Sequence, residues 1–417
     1  MKKKSPKARP TRGTAKTAIA DAAEPNLETA IELVMEMMAI PGKSGEEGQI
    51  VSFIRKRLRN ARVPTSALVV DDTPKKSPLG GETGGLICQL PGTLPGPRRL
   101  LMAHVDTVPL CVGSIPLRKG RFVRSADEQT GLGADNRAGA AVVLTAALEV
   151  VQRRLPHPPL TFFWSVQEEV GLHGARNVNF GLLGRPKLSF NWDGGDCEKL
   201  TIGATGAYRM KITVLGLASH AGGAPEYGVS AIAVAGRAIA DLHQNGWHGD
   251  IHKKGKHGTS NIGVIQGGAA TNVVTDRVEL RAEARSHDPK FRKEIVRAIE
   301  RAFANAAQAV RNVDDKCGKA KVLSQMDYDS FLLRSDEPCI LAAEAAIASI
   351  GRQPQRAVTN GGLDANWLSA RGIPTVTIGC GQRNIHTVKE RLDVPVFQRA
   401  CRIALRLATA TETATKK

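Results

Sequence analysis

Hydrophobic positions first recur at helical spacing. Leu27, Ile31, Val34, Met35 and Met38 form one such face, which closes near Pro41 and Gly42, and Ile50, Val51, Ile54 and Leu58 form a second. Ser44 and Glu47 stand at capping-box spacing ahead of the second face, which predicts that both side chains close its first turn. Gly84 to Leu90 and Arg99 to Val105 read as strands, and Ala138 to Val151 reads as an apolar helix. Leu160 to Val166 is nearly all apolar, as expected of a strand covered on both faces of a parallel sheet. It ends abruptly in two adjacent carboxylates, Glu168 and Glu169. Strands alternating with helices predict an α/β layer.

The pattern changes near Gly203. Tyr208 to Leu215 alternates as a half-buried strand, Val229 to Leu242 is helical, Ser260 to Ile265 and Val273 to Ala284 are strands, Pro289 to Val310 is helical, and Val322 to Tyr328 is a strand. That β-α-β-β-α-β order predicts a ferredoxin-like α+β unit inserted into the first domain. The chain then returns to a helix (Pro338 to Ile350), a glycine-rich turn at Asn360-Gly361-Gly362, and a strand from Thr375 to Ile378. The expected division is a tail over 1–25, an α/β segment over 26–204, the insertion over 205–318, a second α/β segment over 319–412 and a short tail over 413–417.

Bulk composition narrows the classes. At 417 residues the chain is too long for one compact core, and 42% hydrophobic residues suit a soluble globular protein. No apolar run reaches the roughly 18 residues of a membrane span, and the N-terminus lacks the apolar core of a secretory signal. The formal charge of +18 is concentrated partly at the start, where Lys2, Lys3, Lys4, Lys7, Arg9, Arg12 and Lys16 precede the first acidic residue, Asp21. Interleaved with Pro, Ser, Thr and Ala, these read as a disordered basic tail, solvated rather than built to dock on nucleic acid. The seven cysteines are scattered without a CxxC pair, which argues against a disulfide framework and fits a reducing cytoplasm. A metal here would be held by oxygen and nitrogen.

Six groups lie at strand ends or in the glycine-rich loops beside them: His104, Asp135, Glu168, Glu169, Asp193 and His386. His104 and Asp106 stand at i and i+2 on a strand end, so their side chains face one way, and a carboxylate beside a ligating imidazole fixes its tautomer. Asp135 precedes an apolar helix, Asp193 precedes two glycines, and His386 follows a glycine-rich loop. Five of the six suffice to hold two divalent ions, with one carboxylate bridging and one Glu of the pair left over as a base. Imidazole with carboxylate suits zinc, with cobalt or manganese possible.

The motifs HVDTVP, GADNRAG, QEEVGLHGA, NWDGG and GQRNIHTVKE resemble those of the zinc aminoacylase/carboxypeptidase family of dinuclear metallopeptidases, and the match runs from about Leu27 to the last helix. The resemblance implies a zinc-peptidase α/β domain with a mixed, mainly parallel sheet between helices, interrupted by a ferredoxin-like lid used for homodimerisation. It implies that His104 and Asp193 bind one zinc, that Glu169 and His386 bind the other, and that Asp135 bridges them. Asp106 would orient His104, Glu168 would be the general acid/base, and the peptide Asp135-Asn136 would be cis. In the lid, His220, Asn272 and Arg285 resemble substrate-closing residues: His220 would stabilise the oxyanion in the neighbouring subunit's site, while Asn272 and Arg285 would hold the substrate backbone or carboxylate.

The DGG after the strand at Asp193 and the GGLDAN segment at 361–366 resemble peptidase T-like members, so the expected activity is aminopeptidase action on di- and tripeptides. A lid arginine serves a carboxypeptidase or an N-acyl-amino-acid amidohydrolase equally well. The contrasting class is a non-catalytic binding protein that uses the basic tail to dock on nucleic acid; a complete ligand set with a spare base argues against it. The expected partners are therefore a short peptide or acyl-amino-acid and a second copy of the chain, with no membrane.

Overall fold

The computed structural model describes residues 23–409. The basic segment and the extreme C-terminus assigned to tails lie outside those residues, except that Ala23 and Glu24 are held in place. The Glu24 carboxylate accepts hydrogen bonds from Arg402 (2.6 Å) and Arg406 (2.8 Å), and its carbonyl accepts one from Arg153 (2.7 Å).

Nine strands form the larger sheet. Across it run Leu68–Val70, Leu86–Leu90, Leu160–Ser165, Arg99–His104, Leu188–Trp192, Thr375–Ile378, Lys199–Ala204 and Phe331–Leu332, and Gln355–Thr359 also pairs with Lys199–Ala204. The four strands from Leu160–Ser165 to Thr375–Ile378 are parallel to one another, and antiparallel partners extend both edges. Both faces are covered, which is why the central strands are apolar throughout. Leu160, Phe162 and Trp164 face a core shared with the helices Leu27–Ala39, Gly48–Asn60, Ala134–Gln152, Pro338–Ser349 and Val394–Thr409. Phe163 points the other way, to a smaller core with Leu100, Met102, Ala175 and Leu368. The Ala134–Gln152 helix is rich in alanine and buried almost throughout, so small side chains let it lie close on the sheet.

A second core belongs to the insertion. Its sheet runs Gly249–Lys253, Lys256–Gly267, Arg277–Ser286, Gly206–Leu215, Lys319–Tyr328, with every neighbouring pair antiparallel. The helices Ala231–Gln244 and Pro289–Ala309 pack on it, the second capped by Asp288, which accepts from the N–H groups of Lys290 and Phe291. The ferredoxin-like order holds with two corrections. Gly249–Lys253 is an additional edge strand whose residues, mostly polar and exposed, carry no apolar alternation to reveal it. The boundary expected at 318 falls one strand short, because Lys319–Tyr328 hydrogen-bonds to Gly206–Leu215 inside this sheet.

A four-stranded sheet of short segments, Pro116–Lys119, Phe122–Ser125, Arg391–Asp393 and Gln382–Arg383, brings the 381–390 segment back against the start of the Ala134–Gln152 helix. Among these elements Phe162 is fully buried and stacks on Trp164 at 6.2 Å between ring centroids. Phe162→Ala should therefore cost about 3–5 kcal/mol in denaturant unfolding. A cost below about 1 kcal/mol would mean that this face of the sheet is not close-packed.

Candidate metal centre

The Arg99–His104 strand delivers His104 to the sheet edge, and the chain runs on into Asp106, whose side chain is fully buried. His104 Nδ1 lies 3.3 Å from Asp106 Oδ1 and 3.2 Å from the Asp106 carbonyl oxygen, so the two residues do share a side. Asp106 also accepts from Glu168 N–H at 3.0 Å, from Glu169 N–H at 3.1 Å and from the Ser44 hydroxyl at 2.7 Å. One carboxylate thus joins three segments of chain.

The capping box expected of Ser44 and Glu47 does not form. Glu47 occupies the N-cap position of Gly48–Asn60 without a side-chain cap bond. It folds inward instead, fully buried, and its Oε1 accepts from Gly45 N–H (2.8 Å) and Gln167 N–H (3.1 Å). A bond to a buried carboxylate outweighs a cap worth about 1 kcal/mol, so both side chains turn to the site. Gln167 takes a left-handed φ of +56° and is pinned by its Nε2 donating to the Gly80 carbonyl at 2.6 Å. That kink aims the next two peptide N–H groups at Asp106 and sends the two glutamate side chains into different clusters.

Those clusters share His104. One contains His104, Asp135 and Glu169, the other His104, Glu168 and Asp193, each with its ligand atoms within 4.8 Å of one another. His104 Nε2 stands 3.3 Å from Asp135 Oδ1 and 3.9 Å from Asp193 Oδ2. His386 Nε2 stands 3.2 Å from Asp135 Oδ2 and 3.0 Å from Glu169 Oε1. The two oxygens of Asp135 therefore face two different imidazoles. All six expected groups converge, although they are spread over most of the chain. The Asp135-Asn136 peptide is cis.

Four supporting residues escaped the sequence reading. Glu390 accepts from the N–H groups of Gly133 (2.7 Å) and Asp135 (2.9 Å), and so fixes the backbone that carries Asp135. Gln382 Nε2 donates to Asn136 Oδ1 at 2.8 Å while its Oε1 accepts from Gly194 N–H at 2.8 Å, tying the Asp135 loop to the Asp193 loop. Both lie in the GQRNIHTVKE motif that supplied His386. Asp364, in the GGLDAN segment, is buried and accepts from the Ser165 hydroxyl, with its Oδ1 unpartnered. Glu47 is the fourth, its role hidden by its helix-cap spacing.

The electrostatics are those of crowded, desolvated acids. Burial pushes Glu168 well above the ordinary carboxylate range, against the pull of His104 and with help from Asp364, Asp193 and Glu169. Burial and then Asp135 raise Asp193 to about 8. Burial works against a charged His104, but Glu168, Asp106 and Asp135 outweigh it and hold the imidazole well above its ordinary value. Hydrogen bonds with Asp135 and Glu169 raise His386 to about 10. Two imidazoles cannot neutralise this many buried carboxylates, which makes the cluster costly unless cations are shared among them. Nitrogen and oxygen donors converging at this spacing fit borderline divalent metals such as zinc.

The cluster floors a cleft of about 420 Å³, within the range of small-ligand sites. Arg285 and Arg209 line it together with Tyr328; Arg285 pairs with Glu283 at 2.9 Å and Arg209 with Asp327 at 2.6 Å. His220 and Asn272 do not line it. His220 is exposed, its Nδ1 accepting from Gly222 N–H (3.1 Å) and Gly223 N–H (2.9 Å), and Asn272, also exposed, is joined to it through the bond from Ala221 N–H to the Asn272 carbonyl (2.9 Å). Of the three expected lid residues, the single chain brings only Arg285 to the cleft.

A parallel-centred α/β sheet with an acid-and-imidazole cluster at its edge, interrupted by an α+β unit, defines a metallopeptidase. Residues 202–311 match the peptidase dimerisation domain family, and residues 113–188, which carry Asp135, Glu168 and Glu169, match the M42 glutamyl aminopeptidase family. The chain is 30% identical over 370 residues to the uncharacterized protein YqjE of Bacillus subtilis, covering 88% of this chain and 94% of that one. Among solved structures it resembles the aminopeptidase PepT of Bacillus cereus (30% identity, TM-score 0.78, 92% and 98% of the two chains). It also resembles a tripeptidase of Staphylococcus aureus (29% identity, TM-score 0.82, 93% and 99%). The chain belongs to the M20 peptidase family, as a peptidase T-like exopeptidase.

Burial, and after it Asp106, raises Glu47 from 4.5 to about 7, and its Oε2 has no hydrogen-bond partner. An acid whose folded-state value exceeds its unfolded value costs stability as pH rises above the unfolded value, and the cost is complete above the folded one. Glu47→Gln keeps an acceptor for Gly45 and Gln167 and removes that cost. Its stability relative to the parent should rise between pH 4.5 and 7 and level off at roughly 3 kcal/mol near pH 8. Denaturant melts at fixed pH read this directly, and a difference independent of pH would refute it.

Proposed function

We propose that this cleft removes the N-terminal residue from di- and tripeptides, using two divalent cations, zinc by the character of the donors, with cobalt or manganese as substitutes. The observation that carries the reading is the division of the Asp135 oxygens between His104 and His386, at 3.3 and 3.2 Å. In this reading His104 and Asp193 would hold one ion, Glu169 and His386 would hold the other, and Asp135 would serve both. Asp106 holds His104 by its Nδ1 face, leaving Nε2 for the metal. Bound there, the cations supply Lewis acidity for the scissile carbonyl and lower the pKa of water.

The remaining steps belong to the protein. Glu168, buried against the His104 and Asp193 side of the cluster, takes the proton of the attacking water and returns it to the leaving amine. Arg285, with Arg209 beside it on the cleft wall, holds the substrate's backbone or terminal carboxylate. Asn272 would join them, and His220 would stabilise the oxyanion, once a second copy brings these lid positions over the cleft. Homodimerisation through the lid is supported by the dimerisation-domain match and by exposed Tyr227, Ile232, Ile265 and Val273.

The likeness to an aminopeptidase and a tripeptidase favours the N-terminal reading over a carboxypeptidase or N-acyl-amino-acid amidohydrolase. A cytoplasmic setting rests on the seven unpaired cysteines. No helix among the described residues is long and apolar enough to cross a membrane.

Glu168→Gln should lower kcat by about 10²–10⁴-fold with bound metal unchanged. Retained activity in that variant would remove Glu168 from the proposal. A tripeptide, its N-acetyl form and its C-terminal amide separate the substrate classes: loss of turnover on acetylation supports the aminopeptidase, and loss on amidation alone overturns it in favour of a carboxypeptidase.

A further inference from the structure

We propose a second metal site, distinct from the cleft, in which His252, His257 and Asp250 of the inserted unit bind a borderline divalent transition ion such as Zn²⁺ or Ni²⁺. His252 and His257 are direct cross-strand partners in the antiparallel pair Gly249–Lys253 with Lys256–Gly267. Their rings stand 4.6 Å apart between centroids. Asp250 precedes His252 by two residues on the same strand, so all three side chains leave one face of the hairpin. Asp250 Oδ2 lies 2.9 Å from His252 Nε2, and Asp250 Oδ1 lies 2.7 Å from His257 Nε2.

This arrangement has the features of a chelating set. Each residue offers one donor atom, and the three lie within 4.8 Å of one another. Around a tetrahedral zinc, donors at about 2.0–2.1 Å from the metal stand roughly 3.3 Å from each other, so opening these contacts by about half an ångström admits the ion. Hydrogen bonds between such exposed groups are weak, and a metal has little to displace. Two imidazoles with one carboxylate select against magnesium and calcium, which prefer oxygen, and leave coordination positions open to water.

The backbone holds the donors ready. The loop between the strands is two residues, Lys254 and Gly255, with φ of +51° and +73°, the left-handed pair of a tight I′ hairpin. Register is therefore set immediately beside both histidines. Gly249–Lys253 is an edge strand that pairs on one side only, so an ion bridging it to Lys256–Gly267 would clip the open edge of this sheet. None of the three residues lines the peptidase cleft.

Equilibrium dialysis of the full-length protein against Zn²⁺ or Ni²⁺, followed by elemental analysis, tests this. The parent should hold one equivalent more than the His252→Ala/His257→Ala double variant, and Asp250→Asn should weaken the same equivalent. Tripeptide kcat/KM should be unchanged in both variants. Asp135→Ala, which disrupts the cleft cluster, should keep the hairpin equivalent, so failure here is distinguishable from failure of the cleft reading. Equal metal content in the parent and the double variant overturns the site.

Discussion

The site depends on the buried carboxylate of Asp106. It takes two backbone N–H groups from the turn after Leu160–Ser165 and a hydroxyl from the loop after the first helix, and it faces the imidazole at the end of its own strand. A carboxylate removed from water must be compensated by donors, and here the donors come from the segments that carry the glutamate pair and the first histidine. The same compensation that makes Asp106 tolerable in the core therefore sets the relative placement of His104, Glu168 and Glu169. A residue that binds no metal in the proposed scheme defines where the metal ligands stand.

Around it lies a second ring of carboxylates anchored to backbone N–H groups. Glu47 holds the Gln167 peptide and Glu390 holds the peptides of Gly133 and Asp135. Each anchors a loop that carries a residue of the acid-and-imidazole cluster. Desolvation raises the proton affinity of this ring, and a cluster so poor in positive charge gains stability from any cation that enters it. Under the proposed scheme, folding and metal loading would be coupled through the same acids.

Much of this was legible in the sequence, for identifiable reasons. The central strands declared themselves because a strand covered on both faces must be apolar throughout, and the six ligand-type groups stood out because each closes such a run or sits among glycines. The supports were hidden. Glu47 bonds to a peptide 120 residues away and Glu390 to peptides more than 250 residues away, and no local periodicity encodes a partner at that distance. Glu47 was further disguised by helix-cap spacing, which describes a local choice that a long-range bond overrode. The strand Gly249–Lys253 was missed because hydrogen bonding to its neighbour, not an apolar face, holds it in the sheet. The boundary at 318 cuts off the strand that closes the β-α-β-β-α-β order, which its hydrogen bonding to Gly206–Leu215 places inside the inserted unit.

The contacts of Glu24 bear on how the chain could be rearranged. Glu24 is bound by Arg402 and Arg406 of the final helix and, through its carbonyl, by Arg153. The first and last of the described residues are therefore neighbours on one surface. A short linker joining those ends, with the chain reopened at an exposed turn, would alter the order of synthesis while leaving every layer of the packing in place; circular permutation is a practical route to relocating the termini of this enzyme.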